Sequence, residues 1–193
     1  MSARHYAHQT LWPNTARVPL LGFAANSGGG KTTLLRQLIP LLIQGGVRVG
    51  LIKHAHHGFE IDYPGKDSYE LRKAGAAQVV VTSRQRYALM ADRQQPAEPQ
   101  LAEELARLDQ TVLDLVLVEG FKHEQFPKIE LWRPSLGHTP LFHTDSSVIA
   151  VASDVPDSLD TPLPVLDLND TREIARFVHQ EVLRSDEASK PVV

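Results

Sequence analysis

Three consecutive glycines run into a lysine and two threonines in the stretch Ser27-Gly28-Gly29-Gly30-Lys31-Thr32-Thr33. Residues without a Cβ let successive backbone N–H groups curve around an anion. A lysine directly after them adds a compact positive charge, and a hydroxyl after that adds a hard oxygen of the kind Mg²⁺ prefers. The chemistry implied is that of a nucleoside triphosphate. The amides of residues 27–33 would cradle phosphate oxygens, Lys31 would reach the β- and γ-phosphates, and Thr32 would complete the Mg²⁺ shell. Ser27, Gly28, Gly29, Gly30, Lys31, Thr32 and Thr33 are therefore the candidate nucleotide-binding residues. One position departs from the usual phosphate-loop (Walker A) pattern, which begins with glycine five residues before Gly30, where this chain has Ala25. A methyl group fits there if the backbone φ is negative.

Such a loop works with a second acid beside the metal, at the C-terminal end of a neighbouring apolar strand. Leu113-Asp114-Leu115-Val116-Leu117-Val118-Glu119-Gly120 has that form. Glu119, at the end where ligands gather, is the second candidate metal residue beside Thr32; Asp114, at the start, is expected to be structural. The segment 53–68 carries Asp62, Lys66, Asp67 and Ser68, with Asp67 and Ser68 also suited to capping a helix. Asp62 is the candidate catalytic residue, as an acid that positions water. His54, His56 and His57 fall within four residues, and His54 and His56 would point the same way in an extended chain. They open a zinc or nickel reading, although no cysteine exists to complete a thiolate site.

These residues need a scaffold that brings strand ends together. Residues 18–25 form a short apolar run without alternation, the signature of a strand buried on both faces. Residues 31–44 place Leu34, Leu35, Leu38, Leu41 and Leu42 on one helical face, ended by Gly45-Gly46, with Pro40 a possible kink. Further strands are expected at 47–53, 77–82, 113–118 and 147–152, and helices near 67–73, 101–108 and 171–183. Residues 91–100, with two prolines, read as a loop. Residues 127–133 alternate Lys128 and Glu130 with Ile129 and Leu131, which predicts a half-exposed strand, antiparallel or at an edge. The expectation is an α/β fold of the P-loop NTPase type: a mostly parallel sheet, helices on both faces, and a half-exposed edge strand or hairpin. A flexible leader is expected over 1–17, the nucleotide-binding domain over 18–185 and a tail over 186–193.

Composition narrows the function classes. The chain has 193 residues, 42% hydrophobic and 22% charged, which suits one globular domain. A net charge of −3 lacks the basic surplus of a general nucleic-acid binder. No apolar run is long enough to span a membrane, and the polar first residues do not read as a secretory signal, so a cytoplasmic protein is expected.

Several blocks together resemble the MobB family of molybdopterin-guanine dinucleotide biosynthesis adapter proteins. They are the loop through Thr33, Ile52-Lys53-His54-Ala55-His56-His57, and Asp62-Tyr63-Pro64-Gly65-Lys66-Asp67-Ser68. Leu71-Arg72-Lys73-Ala74-Gly75-Ala76, Val118-Glu119-Gly120-Phe121-Lys122 and Pro127-Lys128-Ile129-Glu130 complete the set, and the likeness covers residues 19–183. The resemblance implies GTP as the nucleotide, with Mg²⁺, weak GTPase activity, and assistance to a molybdopterin guanylyltransferase partner that attaches GMP to molybdopterin. It also implies a homodimer, through the half-exposed strands, and a site in which residues 54–57 and 62–68 flank the phosphates or the molybdopterin substrate. Asp154, following the strand 148–153, is the candidate reader of guanine, with Asn169-Asp170 competing; no Asn-Lys-x-Asp signature occurs. Two other classes stay open. One is an ATP-dependent kinase or ligase-like enzyme for a small acid; the other is a nickel or zinc insertion GTPase using His54, His56 and His57.

Overall fold

The structure, a computed structural model, describes residues 8–26, 28–55 and 58–183. The expectations placed on Ser27, His56, His57 and the tail 186–193 lie outside those residues. Two compact units divide the chain: one holds the residues up to His54 together with those from Gln100 onward, and the other is Ala55–Pro99. The segment 18–185, expected as the nucleotide-binding domain, contributes to both units.

The sheet unit contains six strands, β1 (Leu20–Ala24), β2 (Val49–Lys53), β5 (Leu115–Glu119), β6 (Lys128–Trp132), β7 (Val148–Ser153) and β8 (Val165–Asp167). They lie in the order β2-β5-β1-β6-β7-β8, and every neighbouring pair is parallel. This is an α/β fold of the P-loop NTPase type. Helix α1 (Lys31–Gln44) and helix α4 (Thr171–Phe177), which runs on into a π turn over Val178–Val182, cover one face. Leu34, Leu35, Leu38 and Leu42 of α1 meet Leu21, Phe23, Leu117, Ile129 and Ile174 there. Helix α3 (Leu101–Leu105) closes part of the other face through Leu101 and Leu105 against Leu20, Val116, Val118 and Phe126. Pro40 does not interrupt α1. It lies on the exposed side with Arg36, whose carbonyl loses its helical partner where water can replace it.

The alternating strand is the main correction. β6 sits between β1 and β7, parallel to both, and Lys128 and Glu130 are buried. Their side chains anchor the connection to β7 instead of facing water. Lys128 Nζ donates to Asp145 Oδ2 at 2.8 Å, to Ser147 Oγ at 2.7 Å and to the Glu124 carbonyl. Glu130 accepts the backbone N–H groups of Leu141 at 2.7 Å and Phe142 at 2.8 Å. Polarity alternates along this strand while exposure does not, because each buried charge has partners.

Of the expected leader over 1–17, residues 1–7 lie outside the described residues, and part of the rest packs on the sheet unit. Trp12, Ala16 and Val18 pack against the second face, and Thr15 Oγ1 donates to the Ala102 carbonyl at 2.8 Å. The Gln110 side chain then clamps the segment, accepting from Arg17 N at 2.7 Å and donating to the Thr15 carbonyl at 3.0 Å.

The smaller unit holds α2 (Asp67–Lys73) and an antiparallel hairpin of β3 (Gln78–Thr82) and β4 (Tyr87–Ala91). β3 was expected in the parallel sheet, and β4 was not expected. Ser83 N donates to the Arg86 carbonyl at 2.9 Å to close the turn. Within this unit Asp62 is buried and accepts from Arg72 Nη2 at 2.9 Å, while Glu60 takes the same nitrogen.

Candidate functional site

The C-terminal strand ends deliver the site in spatial order. Across the sheet, β2 ends in Lys53, β5 in Glu119, β1 opens into the loop 25–30, β6 is followed by Arg133, and β7 by Asp154. Chain direction reverses its lateral course around β1, so this edge has the crevice that ligands occupy in open parallel sheets.

The loop has the backbone that phosphate binding needs. Gly28 and Gly30 have φ of 78° and 92°, where a side chain would be strained. A Cβ on Gly29 would stand 2.7 Å from the methyl of Ala25, so the departure at Ala25 is compatible with the loop because its neighbour across the turn is glycine. Ala25 is not among the positive-φ residues, as its fit required. Lys31 Nζ donates to the Ala25 carbonyl at 2.8 Å, which folds the lysine back along the loop. Thr32 and Thr33 are exposed in the first turn of the fourteen-residue α1, whose N-terminal amides and dipole favour an anion.

Beside the loop, Thr32 Oγ1 lies 3.4 Å from Glu119 Oε1. Lys53 Nζ bridges both carboxylate oxygens of Glu119 at 3.1 Å each. Glu119 is followed by Gly120 at φ 105°, where a Cβ would collide with His54 Cβ at 2.6 Å. His54 N donates to the Glu119 carbonyl at 2.8 Å, and its ring stacks on Phe121 at 5.0 Å. Burial holds the Lys31 ammonium below its ordinary pKa; Glu119 works against this, and the charges of Lys122 and Lys53 add to it. Three lysines, Lys31, Lys53 and Lys122, thus gather about the loop, and their positive charge favours a polyanion there.

On the other side, Arg133 Nη1 donates to Asp154 Oδ2 at 2.6 Å, both side chains being partly buried. Next to them a cleft of about 470 Å³ is lined by Trp132, Pro134, Ser135, Asp154, Val155 and Ser158. Clefts of this size hold small ligands.

The structure therefore brings together Gly28, Gly29, Gly30, Lys31, Thr32, Thr33, Glu119 and Asp154 on one edge of the sheet unit. Asp62 belongs to the smaller unit, ion-paired to Arg72. Asp114 sits at the opposite end of β5, where Arg48 holds it through Nε at 2.8 Å and Nη2 at 2.7 Å, the structural role expected. Asp170 caps α4, accepting from the amides of Arg172 and Glu173. Two residues of the edge escaped the sequence reading. Lys53 ends a predicted strand, and the strand-end reasoning that selects Glu119 would also have selected it. Arg133 follows a strand whose placement was misread, so no local signal marked it.

Comparison with known proteins gives a concordant picture. Residues 20–154 match the family model described as molybdopterin guanine dinucleotide synthesis protein B. The chain is 57% identical over 162 residues to the molybdopterin-guanine dinucleotide biosynthesis adapter protein of Escherichia coli, covering 83% of this chain and 91% of that one. It is 44% identical over 163 residues to the adapter protein of Haemophilus influenzae, covering 84% and 88% respectively. Among solved structures, a MobB protein homolog from Bacillus stearothermophilus superposes with a TM-score of 0.61 at 27% identity, over 84% of this chain and 96% of that one. Bacillus subtilis MobB superposes at 0.64 with 24% identity, over 85% and 98%, and supports the fold. On the match to its family model and to these relatives, the chain belongs to the MobB family.

Proposed function

We propose that this chain is a GTP-binding adapter of molybdopterin guanine dinucleotide biosynthesis, a slow GTPase at most. It would act in the cytoplasm beside a guanylyltransferase that attaches GMP to molybdopterin, and molybdopterin itself could contact residues 54–57 or 62–68. Family membership supports the pathway. The observation that carries the nucleotide reading is the row of strand ends that sets Lys53, Glu119, the glycine loop, Arg133 and Asp154 along one edge. No helix among the described residues is long and apolar enough to cross a membrane.

In this reading the loop amides and Lys31 hold the phosphates, and Asp154 lies where the cleft beside Trp132 receives the nucleoside. The oxygen pair of Thr32 and Glu119 fits Mg²⁺, a hard cation bound through few protein oxygens, and the Lys53 ammonium on Glu119 shows that this carboxylate receives positive charge. When bound there, Mg²⁺ supplies neutralisation of phosphate charge. The protein's own part is to bind, orient and screen the polyphosphate. Asp62 accepts a bond from the nearly buried Arg72. That bond uses Oδ1, while Oδ2 finds no partner among the described residues, so a water-orienting role would fall to Oδ2 with the ion pair kept; an Asp62→Asn protein that binds nucleotide but no longer hydrolyses it would support the role.

The homodimer belongs to the same proposal, by a different surface from the one expected. β6 is interior and cannot pair with a second copy. The β3–β4 hairpin leaves Val80, Tyr87 and Leu89 exposed, an apolar surface of the kind oligomers cover. Calorimetric titration with Mg²⁺–GTP and Mg²⁺–ATP tests the nucleotide assignment. Preference for GTP, lost in Lys31→Ala, is expected; equal or tighter ATP binding would return the ATP-dependent enzyme to first place.

A further inference from the structure

Arg133 occupies a place that the phosphate-loop motif does not prescribe. Its Nη1 is bonded to Asp154 Oδ2 at 2.6 Å, and its Nη2 lies 3.8 Å from where a Cβ would stand on Gly30. Gly30 is the last glycine of the loop and the N-cap of α1. The guanidinium, carried just past the end of β6, thus stands between Asp154 at the end of β7 and the last glycine of the loop. Its fork of donors is directional, so a single arginine can keep one nitrogen on a carboxylate and aim another at an anion.

We propose that Arg133 is a polyphosphate-contacting residue and that Asp154 is the positioning residue that holds it. The proposal rests on the nucleotide reading of the loop and deepens it: the ligand class is a nucleoside di- or triphosphate, and Arg133 supplies in cis a cation that sequence motifs leave unassigned. It also changes the part played by Asp154. A carboxylate that accepts from Arg133 at 2.6 Å acts on every nucleotide alike, through the arginine. A base reader would act on guanine alone.

The two parts separate by titration. Wild type, Lys31→Ala, Arg133→Gln, Arg133→Lys and Asp154→Asn are each titrated with Mg²⁺–GTP, Mg²⁺–GDP and Mg²⁺–ATP, and inorganic pyrophosphate is used as competitor. Loss of one charge-assisted contact predicts that Arg133→Gln weakens GTP and GDP by roughly 10- to 100-fold. Pyrophosphate competition should weaken by a similar factor, and Arg133→Lys should recover part of it. Asp154→Asn should weaken GTP and ATP by the same factor. The variants are expected to melt with the wild type, since the pair is partly exposed. Unchanged affinity in both Arg133 variants, with binding lost in Lys31→Ala, overturns this inference and leaves the loop assignment standing. A changed GTP-to-ATP ratio in Asp154→Asn overturns the positioning role. Absence of nucleotide binding by the wild type overturns both readings.

Discussion

Replacement of Lys128 by methionine is the sharpest test of how this sheet is held together. Methionine keeps a linear, mostly apolar stem and removes the ammonium that reaches Asp145, Ser147 and the Glu124 carbonyl. Lys128 is 1% exposed and Asp145 7%, so the abandoned carboxylate has little access to water. Breaking a buried pair by deleting one partner costs about 3–5 kcal/mol. In a chain of 193 residues, where 1 kcal/mol moves the melting temperature by about 2–4 °C, that corresponds to a fall of roughly 6–20 °C. If the alternating pattern reported a solvent-facing edge, the change would stay within about 0.5 kcal/mol, or roughly 2 °C.

The assay is urea and thermal unfolding followed by tryptophan emission, because Trp132 ends β6 and Trp12 packs against the core of the same unit. A fall below about 2 °C would refute the buried anchor. Adding Asp145→Asn should restore part of the loss, since the orphaned charge is then removed. The pH dependence gives an independent check. Burial alone would raise the Asp145 pKa, but hydrogen bonds from Lys128 and Ser147 and the lysine charge outweigh it and hold the group below the ordinary range. A depressed carboxylate stabilises the fold above its unfolded pKa, about 3.9, and that contribution disappears as pH falls through the folded value. The gap between wild type and Lys128→Met should therefore narrow on acidification below about pH 4. Glu130 acts in the opposite sense: burial raises its pKa despite the two amides it accepts, so its protonation favours the fold as pH falls from the folded toward the unfolded value.

Two other outcomes are expected. Lys53→Gln should lower the Mg²⁺ concentration needed for half-maximal nucleotide binding, by no more than about fivefold, since a half-exposed pair contributes at most about 1 kcal/mol; a higher requirement would mean that Lys53 holds phosphate directly. Gly22→Ala should destabilise by about 1–3 kcal/mol through overpacking, because its Cβ would fall 2.9 Å from Phe126 Cζ and 3.0 Å from Lys128 Cγ; an unchanged urea midpoint would show that the Phe126 ring moves aside freely.

The parts of the site that were legible in sequence are those carried by contiguous residues. The glycine loop is a strand–loop–helix unit in which every contributing group lies within about ten residues, and Glu119 follows directly from an apolar strand. The hairpin was partly legible too. Two five-residue apolar runs separated by Ser83-Arg84-Gln85-Arg86 carry a hairpin signal. An apolar strand looks the same whether it joins a central sheet or a small exposed one, however, so β3 was placed in the wrong sheet.

Sequence by itself determined the glycine-loop motif, the α/β class and the family resemblance, since these follow from residue types at short spacing and from runs long enough to bury. Only the tertiary structure decided which charges meet. Lys53 and Glu119 are 66 positions apart and Arg133 and Asp154 are 21 apart, joined because β2 lies beside β5 and β6 beside β7. Nor does polarity along a strand reveal exposure: Lys128 and Glu130 are buried because the segment 141–147 supplies partners that replace water. Whether a charge faces solvent depends on its partners, and strand order selects those partners across the sheet.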